Sequence, residues 1–169
     1  MILIGISGKK RSGKNTVASY IKLLTNQTVE EFSFAQELKL ELAKLLQVKL
    51  TDIESNKELY RPLLQALGEY KRKQFGDDIW INKCFRKILC SNAEVCMITD
   101  VRYLNEALAI VQGGGMVVRV NRNHSNDMHQ SEVDLDFVEF KYTIDNNGTL
   151  DELMKKVKQF ATTTGIKLK

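Results

Sequence analysis

The beginning of the chain constrains its fold most. Met1 to Ser7 is an apolar run, and Gly8-Lys9-Lys10-Arg11-Ser12-Gly13-Lys14 follows it without a break. Beyond Lys14, the apolar residues Val17, Tyr20, Ile21 and Leu24 recur at the spacing of one helix face. Strand, glycine-bracketed loop and amphipathic helix satisfy Gly-x4-Gly-Lys in the flanking context that a phosphate-binding loop requires. The glycines let the backbone wrap so that successive N–H groups point at phosphate oxygens. The helix adds its positive end, and Lys14 reaches the outer phosphates. A turn with solvated lysines is the alternative, and the flanking elements weigh against it.

Charge distribution supports the same reading. The net charge is +4, yet residues 1–28 hold five cations (Lys9, Lys10, Arg11, Lys14, Lys22) and no acid, so the other 141 residues sum to −1. Four of the five fall inside Gly8–Lys14, which suits a compact polyphosphate rather than a nucleic-acid groove. Cys84, Cys90 and Cys96 are odd in number and lack a Cys-x-x-Cys spacing, so neither a disulfide framework nor a zinc site is indicated. A reducing cytoplasm is the expected location. No apolar run approaches the roughly 20 residues of a membrane helix, and no signal peptide is recognised.

Further along, short apolar runs alternate with helical patterns, the signature of a parallel sheet with crossover helices. Strands are expected at Met1–Ser7, Val29–Phe34, Val95–Asp100, Met116–Val120 and, more weakly, Lys141–Asp145. A helix over Ala35–Val48 would bury Leu38, Leu42, Leu45 and Leu46. Thr51–Lys57 reads as a short helix or a loop. Arg61–Leu67 reads as a short helix stopped by Gly68, and Asp77 or Asp78 as the cap of one carrying Trp80, Cys84, Ile88 and Leu89. Leu104, Ala107, Leu108 and Val111 form another stripe, stopped by Gly113–Gly115. Leu150, Leu153, Val157 and Phe160 form the last. No repeat, linker or domain boundary is evident.

One position departs from the usual loop. The Ser or Thr expected after the lysine is Asn15, with Thr16 next. Asp100 closes an apolar strand and can serve magnesium or its water shell, or cap the helix beginning near Arg102.

At this point the chain resembles the bacteriophage-type deoxynucleoside monophosphate kinases, a branch of the P-loop nucleotide kinases. Ser7 to Thr16 is similar to their Gly-x-Lys-Arg-Ser-Gly-Lys-Asp-Thr, with Asn15 replacing the aspartate. Phe34-Ala35 and Leu38-Lys39 resemble the start of their substrate-side helices, and Arg61 to Gly68 their Arg-x-Leu-x-Gln-x-Leu-Gly. Asp100-Val101-Arg102 with Asn105-Glu106, and His129-x-Ser131-Glu132, complete the series.

The resemblance implies an α/β, three-layer P-loop fold of the adenylate-kinase type, with a five-stranded, mainly parallel sheet, a helical substrate-side segment and a lid, in a single domain over 1–169. It implies transfer of the γ-phosphoryl group of ATP, with magnesium, to a small-molecule acceptor, a deoxynucleoside monophosphate. Gly8, Lys10, Arg11, Ser12, Gly13, Lys14, Asn15 and Thr16 would bind the donor, and Thr16, Asn15 and Asp100 the metal. Phe34, Ala35, Lys39, Arg61, Gln65, Asp100 and Arg102 would bind the acceptor. Lys14, Arg11, Arg61, Arg102 and Arg122 would neutralise the transferred group. The lid falls in Asn121–Asp136, where Ser131-x-x-Asp134 also fits a capping box. Trp80 can stack on a base or fill the core. Animal-type phosphomevalonate kinase, with a similar loop and Asp-x-Arg, is the nearest enzyme alternative; a nucleotide-binding regulator without turnover is the other.

Overall fold

The computed structural model describes residues 1–123 and 135–169. These form two compact units, one from Met1–Phe32 and Ser91–Lys169, the other from Ser33–Cys90.

The first unit carries the sheet. Its strands are β1 (Ile2–Ser7), β2 (Val29–Phe32), β3 (Val95–Val101), β4 (Met116–Asn121) and β5 (Tyr142–Asp145). They stand in the order β2-β3-β1-β4-β5, and every pairing is parallel. The central β1 is the opening apolar run, and a strand covered on both faces has to be apolar throughout. Alternation then divides its side chains. Ile4 and Ile6 point into a cluster with Val17, Ala18 and Ile21 of α1 (Lys14–Leu24). The final helix, Leu150–Thr163, adds Leu153, Val157, Phe160 and Ala161 to that cluster. It starts as a capping box: Thr149 Oγ1 accepts from the Glu152 N–H at 3.2 Å, and Glu152 Oε2 from the Thr149 N–H at 2.9 Å. The opposite sheet face meets the helix Leu104–Gln112, whose Ile110 approaches Gly5. Helices on both faces of a parallel sheet make three layers, as the family resemblance implies.

The second unit is helical: α2 (Phe34–Leu46), α3 (Leu50–Ser55), α4 (Lys57–Phe75) and α5 (Ile79–Leu89); the helices of the first unit that follow are α6 (Leu104–Gln112) and α7 (Leu150–Thr163). Ser33 caps α2, its side chain accepting from the Gln36 N–H at 3.2 Å. Leu42, Ala43 and Ile53 form one apolar cluster of the unit, joined by Tyr60, Leu64 and Leu67. Burying a side chain such as Leu42 or Ile53 contributes about 1.5 to 3 kcal/mol. Glu41 of α2 pairs with Lys71 of α4 at 2.5 Å and with Lys83 of α5, while Glu37 pairs with Lys87 at 2.7 Å.

Several expectations need correction. Phe34 belongs to a helix and not to the second strand, because Ser33 caps α2 one residue earlier. Gly68 does not stop a helix. It is buried inside the 19-residue α4, where a Cβ would lie 3.4 Å from Leu38, so the small residue serves helix packing. Pro62 also lies within α4. Leu45, Leu46, Leu89, Leu104, Leu108, Val111 and Leu150 are exposed. In α6 the buried residues are Glu106, Ala107 and Ile110, so the helix is turned so that most of its expected stripe faces outward. Thr51–Lys57 is mostly helical, in α3.

Candidate functional site

The phosphate loop joins the C-terminal end of β1 to the N-terminus of α1, at the strand ends where parallel sheets bind ligands. Its shape is dictated locally. Gly8 has φ +152°, and a Cβ there would lie 2.5 Å from both Ser12 Oγ and the Val120 carbonyl oxygen. Gly13 has φ +100°, and a Cβ there would collide with Asn146 Nδ2. Neither position admits a side chain without strain. Arg11 also takes a left-handed conformation, φ 63°. The Ser12 N–H donates to the Lys9 carbonyl at 3.1 Å and closes the turn.

What the loop offers is anion-binding capacity. The first N–H groups of α1 have no partner within the helix, Gly13 supplies no side-chain cap, and the first turn holds no acid. Ser12 is buried, and its Oγ has no hydrogen-bond partner among the described residues. Lys14 Nζ donates to the carbonyl oxygens of Gly8 at 2.5 Å and Lys9 at 2.8 Å, so its ammonium lies over the loop. Asn15 is exposed and Thr16 half-buried, both in the first turn of α1. Lys10 and Arg11 are exposed.

Asp100 and Arg102 lie at the same sheet edge as the loop, because Ser7 pairs in register with Val101. Asp100 is half-buried and Arg102 exposed. The N–H groups of Arg102 and Tyr103 donate to Glu106 Oε2 at 2.8 and 3.1 Å, so the carboxylate that closes the entry of α6 is Glu106. Arg122 is exposed just past the end of β4. The first unit therefore gathers Gly8–Thr16, Asp100, Arg102 and Arg122 along one edge. Among the described residues, no group of three or more His, Cys, Asp or Glu is arranged to hold a metal. Magnesium needs no such cage: it keeps waters and phosphate oxygens, and the oxygens of Asn15, Thr16 and Asp100 are ligands of the right hardness.

In the second unit Phe34, Ala35 and Lys39 lie on α2, with Phe34 buried and Ala35 exposed. Lys39 pairs with Glu54 at 3.3 Å. Arg61 and Gln65, both exposed, lie one turn apart on α4, and Arg61 pairs with Glu58 at 2.9 Å. Trp80 is buried, its indole N–H without a partner among the described residues, and Lys83 lies 5.0 Å from its ring centre. His129, Ser131, Glu132 and Asp134 fall outside the described residues, as does most of the expected lid.

Three residues escaped the sequence reading. Arg119 is buried in β4; its guanidinium donates to Ser7 Oγ at 3.0 Å and Asp136 Oδ1 at 2.6 Å. Asp136 Oδ2 also pairs with Lys9 Nζ at 2.8 Å. Asn146, buried after β5, donates to the Ser12 carbonyl at 2.8 Å. A cation set among valines in Met116–Val120 was the available signal for the first two, since a buried charge has to be paired.

This sheet order, with a Gly-x4-Gly-Lys loop between the central strand and the first helix, defines a P-loop kinase fold. The phosphomevalonate kinase family model matches residues 6–112. A protein of Acanthamoeba polyphaga mimivirus, provisionally named deoxynucleotide monophosphate kinase, is 30% identical over 93% of this chain and 94% of its own. By these two matches the chain belongs to the phosphomevalonate kinase and deoxynucleotide monophosphate kinase family of P-loop kinases. Among solved structures, TT1252 from Thermus thermophilus is similar at TM-score 0.54 and 15% identity, over 96% of this chain and 97% of that one. That likeness shows the fold alone. Shikimate kinase from Aquifex aeolicus aligns at TM-score 0.49 and 14% identity, over 97% of this chain and 98% of that one. No helix of the described residues is long and apolar enough to cross a membrane.

Proposed function

We propose that the chain, acting over residues 1–169 as one kinase domain, transfers the γ-phosphoryl group of ATP to a deoxynucleoside monophosphate, giving the diphosphate and ADP. The observation that carries this reading is the end-to-end match to the mimivirus protein, whose name states that activity. The Arg61 to Gly68 stretch, an acceptor-side motif of the resembled family, supports the same choice. The work is done by positioning and charge, since phosphoryl transfer asks for little covalent help from the protein. Lys14 leaves the loop carbonyls to meet the donor's outer phosphates. The loop N–H groups and the Ser12 hydroxyl hold the phosphate oxygens, with Lys10 and Arg11 at the rim. Magnesium, when bound to the donor, neutralises charge on its phosphate oxygens; Asn15, Thr16 and Asp100 would hold it directly or through water. Arg61 grips the acceptor phosphate, Gln65, Phe34, Ala35 and Lys39 bound its base or sugar, and Arg102 and Arg122 bring further positive charge to the transferred group.

The runner-up acceptor is phosphomevalonate, favoured by the family model over 6–112. One screen separates the readings: ADP release from ATP and magnesium, measured with each nucleoside and deoxynucleoside monophosphate and with phosphomevalonate. Turnover with a deoxynucleoside monophosphate is expected. Turnover with phosphomevalonate alone moves the assignment to the runner-up, and no acceptor-dependent ADP would point to a nucleotide-binding regulator.

A further inference from the structure

The loop's second residue, Lys9, is not free to serve phosphate. Its ammonium pairs at 2.8 Å with Asp136 Oδ2, while Asp136 Oδ1 accepts from Arg119 at 2.6 Å. Arg119 is itself fixed: it is buried in β4, it donates to the fully buried Ser7 Oγ at 3.0 Å, and its guanidinium carbon lies 5.8 Å from the ring centre of Phe140. Asp136 is anchored as well, because Leu135 before it is buried and its carbonyl accepts from the Val138 N–H at 3.3 Å. The Lys9 main chain meanwhile carries two of the loop's contacts: its carbonyl oxygen accepts from the Ser12 N–H at 3.1 Å and from Lys14 Nζ at 2.8 Å.

From this we infer that Arg119 and Asp136 are positioning residues for the donor loop: Arg119 aims Asp136, and Asp136 holds the Lys9 side chain so that the Lys9 carbonyl keeps the place that shapes the turn and parks Lys14. Lys9 is then a tether of the loop rather than a phosphate ligand. A carboxylate shared between a guanidinium and an ammonium is well suited to this. Each oxygen has one charged donor, and both pairs lie partly out of water, where such bonds are strongest and most directional. The inference rests on the loop being the donor site.

The test is ADP binding by titration calorimetry with magnesium present, beside thermal melting, for Lys9→Met, Asp136→Asn, their double variant, Asp136→Glu and Lys14→Ala. Lys9→Met and Asp136→Asn should each weaken ADP binding by about tenfold, as for loss of a charge-assisted bond. The double variant should be no weaker than either single, because both cut the same link, and Asp136→Glu should recover part of the loss. The Michaelis constant for ATP should rise in step while that for the acceptor stays put. If the singles bind ADP within twofold of the parent, or their effects add, the positioning role is wrong. A lowered melting temperature with unchanged ADP binding overturns it equally, as a merely structural pair. Loss of ADP binding in Lys14→Ala alone leaves the donor-site reading standing without this inference. Unchanged binding in Lys14→Ala removes the donor-site reading and the positioning role with it.

Discussion

Asn146 Nδ2 donates to the Ser12 carbonyl oxygen at 2.8 Å, tying the turn after β5 to the phosphate loop across 134 positions of chain. Asn146 also lies against Gly13, so that a Cβ on Gly13 would occupy the place of its amide. Asn146→Ala should cost about 1 to 3 kcal/mol, since it leaves a buried carbonyl unpaired, and should lower the melting temperature by roughly 2 to 12 °C. Its Michaelis constant for ATP should rise. Gly13→Ala should lose donor binding through both the collision and its φ of +100°. Adding Asn146→Ala to it relieves the collision but not the backbone strain, so recovery should be partial. Calorimetric titration with ADP and a thermal melt check all three variants.

The part of the candidate site built on local sequence was legible as geometry, and the part built on tertiary contacts was not. Gly8, Gly13 and Lys14 announce themselves because the loop's backbone path admits few other residues. Asp100 was legible as a carboxylate closing an apolar run, although β3 continues one residue further, to Val101. Asp136 and Asn146 carry no such mark: what matters is that β4 and β5 stand beside β1, and strand order is not written in any window of residues. The same limit explains α6. Periodicity identified a helix, but not which side the sheet covers, and Glu106 is buried to bind the N–H groups of Arg102 and Tyr103 where Leu104 and Leu108 remain exposed. Gly68 misled for a related reason. A glycine reads as a stop until Leu38 is seen packed against it.

Asp100 offers the second prediction. Asn15 contributes a neutral carbonyl where a hydroxyl is usual, so under the proposed function the carboxylate of Asp100 would be the anionic ligand to magnesium at this sheet edge. Asp100→Asn should raise the magnesium concentration for half-maximal turnover by roughly tenfold, while ADP binding without metal stays within twofold. Asn15→Asp should be tolerated. Magnesium titrations of turnover decide the matter, and an unchanged metal dependence would remove Asp100 from the metal site.

A third prediction concerns pH and the helical unit. Burial pushes the Glu41 carboxyl up, but hydrogen bonds and charges from Lys71 and Lys83 outweigh it and hold the group below its ordinary 4.5. A depressed carboxylate contributes stability that is fully present above the unfolded-state value and is lost as pH falls through the folded one. Stability should therefore decline as pH drops below about 4.5. Glu41→Gln should flatten that decline and cost roughly 1 to 3 kcal/mol at pH 7, where two partly buried ammonium groups lose their counter-ion. Urea unfolding of both proteins at pH 7 and pH 4 provides the comparison.

The last prediction separates acceptor from donor. Arg61 sits on α4, exposed, with Gln65 one turn further along and Glu58 as its only ion pair among the described residues. The loop proposed to hold the donor lies on another segment of chain, so loss of one function need not touch the other. An acceptor phosphate that meets a γ-phosphate places like charges close together. A fixed guanidinium with two parallel donors offsets that repulsion better than a flexible ammonium. Arg61→Ala should raise the acceptor's Michaelis constant, lower turnover, or both, by about ten- to a hundredfold, with ADP binding intact. Arg61→Lys should recover little, because the bidentate geometry is what it lacks. Glu58→Ala frees the guanidinium from its surface partner, and since exposed pairs of this kind are worth well under about 1 kcal/mol, it should leave the acceptor constant within twofold. Were Arg61→Ala to abolish ADP binding with the acceptor constant untouched, the acceptor role assigned to α4 would have to be abandoned.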